Sequence, residues 1–381
     1  GEYHINVDHT VKPVVHPARR VPFALKEKLK AELNGMVSLG VIEKVDKPTN
    51  WVNSIVIVEK SNGDIRLCLD PKDLNRAVKR EFSQMPTAEE IMSRMSGATI
   101  FSKLDASAGY WQVKVDETSS DLLAFNTPFG RFKFKRLPFG VHCASVVFSK
   151  RISEILDGLD GVAHIQDDII VWGTDQENHD NNLSKVLKRV KESGLKFNKK
   201  KCEFRIREIK YVGHIFSDKG LGIDPSKVEA IRNMPVPQTV AEVHRFLGMV
   251  AYLGKFIPNL SSNTAELRKL LETKQNWTDQ YTKQFRNLQQ LVSQSPVLKY
   301  FNQELPTKVS VDASKSGLGA VLLQAQDDIW CPVAYASRAL TKAEQNYSQI
   351  EKETLAVVFG TEHFNQDIYG RAFLVESDHK P

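Results

Sequence analysis

Apolar positions along this chain repeat with two periods, and the switches between them lay out its elements. Leu25, Leu29, Leu33 and Met36 recur at helical spacing, with Gly40 as a stop. The Pro- and His-punctuated residues 1–23 before them read as extended. Residues 51–59 read as a strand, Ser61-Asn62-Gly63-Asp64 as a hairpin turn and residues 65–70 as the return strand. A helix is expected over residues 87–95, then a strand over 100–104 that ends at Asp105. Residues 122–137 read as a second hairpin around Thr127-Pro128-Phe129-Gly130, and residues 144–156 as a helix closing at Gly158. Farther on, Leu183, Val186, Leu187 and Val190 mark one face of a helix over 182–193, with Gly194 as its C-cap. Residues 209–216 read as a strand around Gly213. Residues 225–256 hold two helices parted at Pro235 and Pro237, the second with the stripe Val243, Phe246, Leu247 and Val250. The polar residues 261–294 read as a mostly helical connector. From Pro306 the order is strand 308–311, strand 318–324, strand 332–337, helix 342–359 and strand 372–376, the front half of an α/β domain.

The adjacent carboxylates Asp167 and Asp168 break this pattern between Val162-Ala163-His164-Ile165-Gln166 and Ile169-Ile170-Val171-Trp172. Burying a charged pair inside a strand carries a large desolvation cost, so the pair belongs at a hairpin tip. There it is either a polar turn or, with a divalent cation between the carboxylates, part of a metal site whose hard oxygens suit Mg²⁺. Composition adds little: 381 residues, 41% apolar and 26% charged, suit a soluble globular chain with two to four domains. No run approaches the roughly 18 apolar residues of a membrane helix, and no signal peptide opens the chain. A start at Gly1 instead of Met suggests a segment cut from a longer precursor or made for expression. Cys68, Cys143, Cys202 and Cys331 lack metal-ligand spacing and are expected as reduced core thiols in an intracellular setting. The net charge is only +6, yet residues 185–210 hold eleven Lys/Arg against three acidic residues. That run fits either a nucleic-acid backbone or a solvated helix face and loop.

In sequence order, Arg66-Leu67-Cys68-Leu69-Asp70 and Phe101-Ser102-Lys103-Leu104-Asp105-Ala106-Ser107-Ala108-Gly109-Tyr110 resemble fingers and palm segments of reverse transcriptases. So do Thr127-Pro128-Phe129-Gly130, Leu137-Pro138-Phe139-Gly140 and the Asp167-Asp168 hairpin. Tyr211-Val212-Gly213-His214 resembles the primer-grip strand, and Phe246-Leu247-Gly248 through Phe256-Ile257-Pro258-Asn259 the thumb and connector of gypsy-type (Metaviridae) LTR retrotransposon polymerases. Val311-Asp312-Ala313-Ser314, Glu351-Lys352-Glu353-Thr354-Leu355-Ala356 and Ser377-Asp378-His379-Lys380-Pro381 resemble that family's RNase H domain.

The resemblance implies an α+β right-hand polymerase with fingers, palm, thumb and connector, followed by a truncated RNase H-like α/β domain. Residues 1–100 would be an N-terminal extension and the start of fingers and palm. The palm would span 101–216 with a fingers insertion near 120–150, the thumb 217–262, the connection 263–305 and the partial RNase H-like domain 306–381. It further implies RNA- and DNA-templated DNA synthesis by a retrotransposon Pol polyprotein, using two Mg²⁺ ions (or Mn²⁺) roughly 3.5–4 Å apart. Asp105 and Asp167 would hold both metals and Asp168 would support the primer-side one. Tyr110 would lie beneath the incoming sugar, Arg66 on the base and phosphate with Lys60 as its partner, and Phe139 against nucleotide and template. Ile165 and Gln166 stand where the family usually has Tyr-x, which alters primer contacts, with Gln166 in the second place. Asp312, Glu353 and Asp378 match three carboxylates of a site that cleaves RNA in RNA/DNA hybrids, its fourth carboxylate lying beyond Pro381. Implied partners are RNA or DNA template, DNA or RNA primer, dNTPs and RNA/DNA hybrid, with no membrane; a homodimer and a cytoplasmic virus-like particle also fit. The competing reading is a non-catalytic nucleic-acid-binding or scaffold subunit, against which the retained Asp105, Asp167 and Asp168 argue.

Overall fold

A computed structural model describes residues 1–59, 63–81, 87–107, 109–211, 213–273, 277–326 and 329–378. The chain divides into two compact units.

The first unit comprises residues 1–87, 102–171 and 179–204. The helix Phe23–Ser38 buries Leu29, Leu33 and Met36 as the spacing predicts, and Gly40 follows at φ 64°. Strand β1 (Ile42–Lys44) pairs with the later hairpin of β5 (Ala124–Thr127) and β6 (Gly130–Phe134). Strands β2 (Ser54–Glu59) and β3 (Ile65–Asp70) pair antiparallel. The strand expected from residue 51 starts at Ser54, because Val52 and Asn53 make only single bridges to Val15 and Phe125. The central sheet has the order β7-β8-β4-β9, with β4 Ile100–Asp105, β7 Val162–Ile165, β8 Asp168–Gly173 and β9 Glu203–Ile206. The helix Ala144–Leu156 forms over its expected range and turns its apolar face, with Val147, Phe148 and Ile152, into the core.

The helix expected over 182–193 runs from Gln176 to Ser193. Its first turn is fixed by Asp175, whose carboxylate accepts from the Asn178 N–H at 2.8 Å. That turn buries His179 and Asn182, polar residues that an apolar stripe does not reveal, and His179 Nε2 lies 2.9 Å from Ser102 Oγ. The four cysteines are free, but only Cys143 is buried; the others are half-buried, which corrects the expectation of core thiols.

The second unit comprises residues 88–101, 172–178 and 205–381. The expected single strand over 209–216 is a pair, β10 (Glu208–Tyr211) and β11 (His214–Ser217), followed by β12 (Gly220–Ile223). Gly213, at φ 73°, lets the chain reverse between Tyr211 and its partner His214. Helices Pro225–Arg232 and Val240–Tyr252 flank the two prolines, and Leu260–Thr273 and Asp279–Ser293 form the connector. The last sheet has the order β15-β14-β13-β16, with β13 Thr307–Ala313, β14 Gly317–Gln326, β15 Ile329–Ala339 and β16 Leu374–Ser377. Its helix runs over Gln349–His363, not 342–359, because a capping box of Ser348 and Glu351 starts it there. Gly360 brings that helix down on the sheet: an added Cβ would lie 3.0 Å from Val311 Cγ1 and 3.2 Å from Ala320 Cβ. No helix among the described residues is long and apolar enough to cross a membrane.

Candidate active sites

The Asp pair is split by its turn. Ile165 pairs with Asp168, so Gln166 and Asp167 form a two-residue loop and Asp168 is the first residue of β8. Gln166 takes φ 56°, the sign that a type II′ hairpin demands at its first turn position and one that a long side chain rarely adopts. The buried His164 braces this turn. Its Nδ1 faces the Gln166 carbonyl oxygen at 3.4 Å and its Nε2 the Ser153 Oγ at 2.8 Å. Since a carbonyl can only accept, Nδ1 carries the proton and the Ser153 hydroxyl donates to Nε2. Burial lowers the His164 pKa, which keeps the ring neutral.

Asp105 ends β4, and the next residue ties it to the hairpin: Ala106 N–H donates to the Asp167 carbonyl at 3.2 Å. Residues 62 apart in sequence thereby become neighbours. The carboxylates carry counter-charges from within the unit, Lys201 Nζ at 3.1 Å from Asp105 Oδ2 and Lys103 Nζ at 3.1 Å from Asp168 Oδ2. Gly109 packs against the same turn, where an added Cβ would lie 3.2 Å from Phe148 and 3.7 Å from Asp167 Cβ.

A row of rings leads away from Asp167. Burial, and after it the Asp167 charge, pushes the Tyr110 phenol above its ordinary pKa. Tyr110 lies 4.8 Å from Phe139 between ring centroids, and the exposed Arg66 guanidinium sits 5.3 Å over Phe139. Gly140 closes this contact. At φ 105° it lets Leu69 N–H donate to the Phe139 carbonyl at 3.2 Å, and a Cβ there would lie 2.1 Å from Leu69 O. Lys60 lies outside the described residues.

The basic run is stitched to the same strand end. Asn198 N–H donates to Asp105 O at 2.9 Å and Ser107 N–H to Lys196 O at 2.9 Å. Gln112 Nε2 donates to the Ser107 and Lys196 carbonyls, and its Oε1 accepts from Lys196 N–H at 2.7 Å. Lys196, Lys199 and Lys200 are exposed beside this clamp. Sequence reasoning gave no part to Gln112, Lys103 or His164, and placed Lys201 only within the basic run; Gln112 and Lys103 lie in or just beyond the Asp105 motif, the only signal that could have marked them.

The second site is tighter. Asp312, Glu353 and Asp378 bring one ligand oxygen each to within 4.8 Å of one another, the one such acidic, His or Cys trio among the described residues. Parallel pairing of Val311 with Ser377 sets Asp312 and Asp378 at neighbouring strand ends. The buried Glu353 accepts from Gln349 Nε2 at 2.7 Å and from Ser377 Oγ at 3.3 Å. Asp312 Oδ2 accepts from Asn259 Nδ2 at 3.2 Å. Both donor sets are hard oxygens and fit Mg²⁺ or Mn²⁺ by chemistry. They differ in that the first already draws ammonium groups and the second is clustered.

Two family descriptions match: "Reverse transcriptase (RNA-dependent DNA polymerase)" over residues 58–216 and "RNase H-like domain found in reverse transcriptase" over residues 277–375. This chain belongs to the reverse transcriptases. Among relatives, the retrovirus-related Pol polyprotein from transposon 412 of Drosophila melanogaster is 31% identical over 97% of this chain and 31% of its own length. The transposon Tf2-3 polyprotein of Schizosaccharomyces pombe is 31% identical over 91% of this chain and 27% of its own. The chain thus spans about a third of the length of these curated relatives. In fold, this reverse transcriptase is similar to a foamy viral protease-reverse transcriptase in complex with dsDNA, at TM-score 0.90 and 22% identity, covering 100% of this chain and 80% of that one. A second foamy viral structure, with RNA/DNA hybrid, has TM-score 0.82 and 22% identity over 99% of this chain and 51% of that one. These likenesses bear out the α+β polymerase fold with an RNase H-like domain.

Proposed function

We propose that this chain is the RNA- and DNA-templated DNA polymerase of a gypsy-type retrotransposon, joining deoxynucleotides to a primer 3′-hydroxyl. The observation that carries the reading is the backbone bond from Ala106 to Asp167, which sets the strand end at Asp105 beside the hairpin turn that carries Asp167 and Asp168. Asp105 and Asp167 would hold the divalent ions, with Asp168 supporting the primer-side one. When bound, two such ions lower the pKa of the attacking hydroxyl and neutralise the triphosphate.

The remaining residues bind and orient. Lys103 and Lys201 hold the carboxylates apart from one another's charge until cationic partners arrive. Tyr110 forms the floor under the incoming sugar, where a 2′-hydroxyl would meet its ring, and Phe139 supports it. Arg66, stacked on Phe139, presents a flat cation to base and phosphate, with Lys60 as its partner. Gln166 faces the primer terminus from its exposed turn position. The exposed Lys196, Lys199 and Lys200 supply phosphate contacts whose strength falls with salt. The foamy viral relatives whose structures contain dsDNA and RNA/DNA hybrid make the same ligand classes reasonable here. In the other unit, Asp312, Glu353 and Asp378 make up three carboxylates of an RNase H site for the hybrid. Fingers and palm over 1–216, thumb over 217–262, connection over 263–305 and nuclease over 306–381 remain our division of these roles.

Primer extension on an RNA template with Mg²⁺ tests the reading. Asp167→Asn should slow incorporation by about 10³-fold, since metal-borne charge stabilisation contributes several kcal/mol and about 1.4 kcal/mol is a factor of ten. An unchanged rate would overturn the assignment.

A further inference from the structure

Asn259 closes the Phe256-Ile257-Pro258-Asn259 run and lies outside the matched RNase H-like segment, which begins at residue 277. Its backbone takes φ 48°, left-handed and unfavourable for any residue with a Cβ. Its carbonyl accepts from Asn263 N–H at 3.1 Å, so the Leu260–Thr273 helix begins on it. An asparagine in that place commonly folds its side chain onto the helix's own amides. Here Nδ2 donates to Asp312 Oδ2 instead. The opposite side of the amide fits a gap in the sheet. Gly319 pairs with Asp312 across β13 and β14, and an added Cβ on it would lie 2.0 Å from Asn259 Oδ1. The helix start is pinned beside it, Ser261 N–H donating to Ser337 Oγ at 3.0 Å and Ser262 Oγ lying 2.9 Å from Ser314 Oγ.

We propose that Asn259 is a positioning residue of the Asp312–Glu353–Asp378 cluster, supplied from the turn just before the Leu260–Thr273 helix. Three carboxylates this close repel one another, and Asp312, exposed like Asp378, can relieve that repulsion by swinging into water. A neutral N–H donor holds one of its oxygens in place without cancelling its charge, so the cluster keeps its full pull on a divalent cation. Gly319 leaves the room this requires. The inference rests on the reading of the trio as a metal site.

Mn²⁺ titration followed by electron paramagnetic resonance tests it, in full-length chain carrying Asp105→Asn and Asp167→Asn so that the trio dominates binding. Asn259→Gly deletes the amide and relieves the left-handed backbone. It should weaken Mn²⁺ binding by about tenfold, as loss of such outer partners commonly does, while the thermal midpoint holds or rises. Gly319→Ala, which displaces the Asn259 side chain and leaves its backbone alone, should weaken binding in the same way. If Asp312→Asn lowers the affinity but neither of these variants does, the role of Asn259 is wrong and the metal site stands. If Asp312→Asn changes nothing, the metal site itself is wrong and the role of Asn259 falls with it.

Discussion

The two carboxylate sites solve one electrostatic problem in opposite ways. Asp105 and Asp168 each hold a lysine ammonium. Asp312 and Glu353 hold the neutral amides of Asn259 and Gln349, and among the described residues none of that trio is in an ion pair. A site neutralised by lysines is stable when empty but must release them to take up a metal. A cluster held by neutral donors keeps its charge concentrated and is ready for a cation. On the proposed reading, the Asp105–Asp167–Asp168 site would exchange its lysines for cationic partners, whereas the Asp312–Glu353–Asp378 trio would take a cation directly.

The largest effect that can break this comparison lies at two glycines. Gly140→Ala puts a Cβ against the Leu69 carbonyl at a left-handed φ, with backbone on both sides of the clash. It should destabilise the first unit by about 3 kcal/mol or more and separate Arg66 from Phe139, read as a lower thermal midpoint and weaker dNTP binding. Gly360→Ala meets only side-chain carbons, at 3.0–3.2 Å, and gains helix propensity, so its loss should be smaller, about 1–2 kcal/mol. Equal effects would mean that the Phe139–Gly140 turn does not set the site.

How much of this was legible beforehand follows from what a sequence can carry. The β4 end at Asp105, the hairpin pair and the helix Ala144–Leu156 were readable because period and punctuation agree there. The start of the Gln176–Ser193 helix was not, since its buried face begins with His179 and Asn182. The break at Gly213 was hidden by apolar residues on both sides of a glycine that reverses the chain. At the sites, residue identities could be matched to a family, but counter-charges could not. Lys201 reaches Asp105 across 96 residues, and Asn259 reaches Asp312 across 53, so tertiary folding alone brings them together.

The lysines offer a smaller, sharper test. Lys201→Ala should tighten Mn²⁺ at the Asp105 site by a few-fold and leave the trio unchanged, because the ammonium and the metal compete for one carboxylate. Measured by titration in an Asp312→Asn background, an unchanged affinity would show that Lys201 exerts no such competition.

Acid should give the smallest effect. His214 stacks on Tyr252 in the second unit, and burial, then Lys255 and Lys227, lower its pKa from 6.5 to about 3. Below 6.5 the unfolded chain takes up a proton that the folded ring refuses, so stability falls as pH drops from 6.5 towards 3. His214→Phe should flatten that slope in thermal melts, and a slope identical to wild type would remove His214 as its source.

Single-turnover incorporation of one deoxynucleotide on an RNA template, with Asp105→Asn and Asp312→Asn compared side by side, separates the roles of the two carboxylate sites. Asp105→Asn should lose about 10³-fold in rate, as removal of a metal-holding carboxylate should, and Asp312→Asn should keep the wild-type rate. A wild-type rate for Asp105→Asn, or an equal loss in both, would contradict that division of roles.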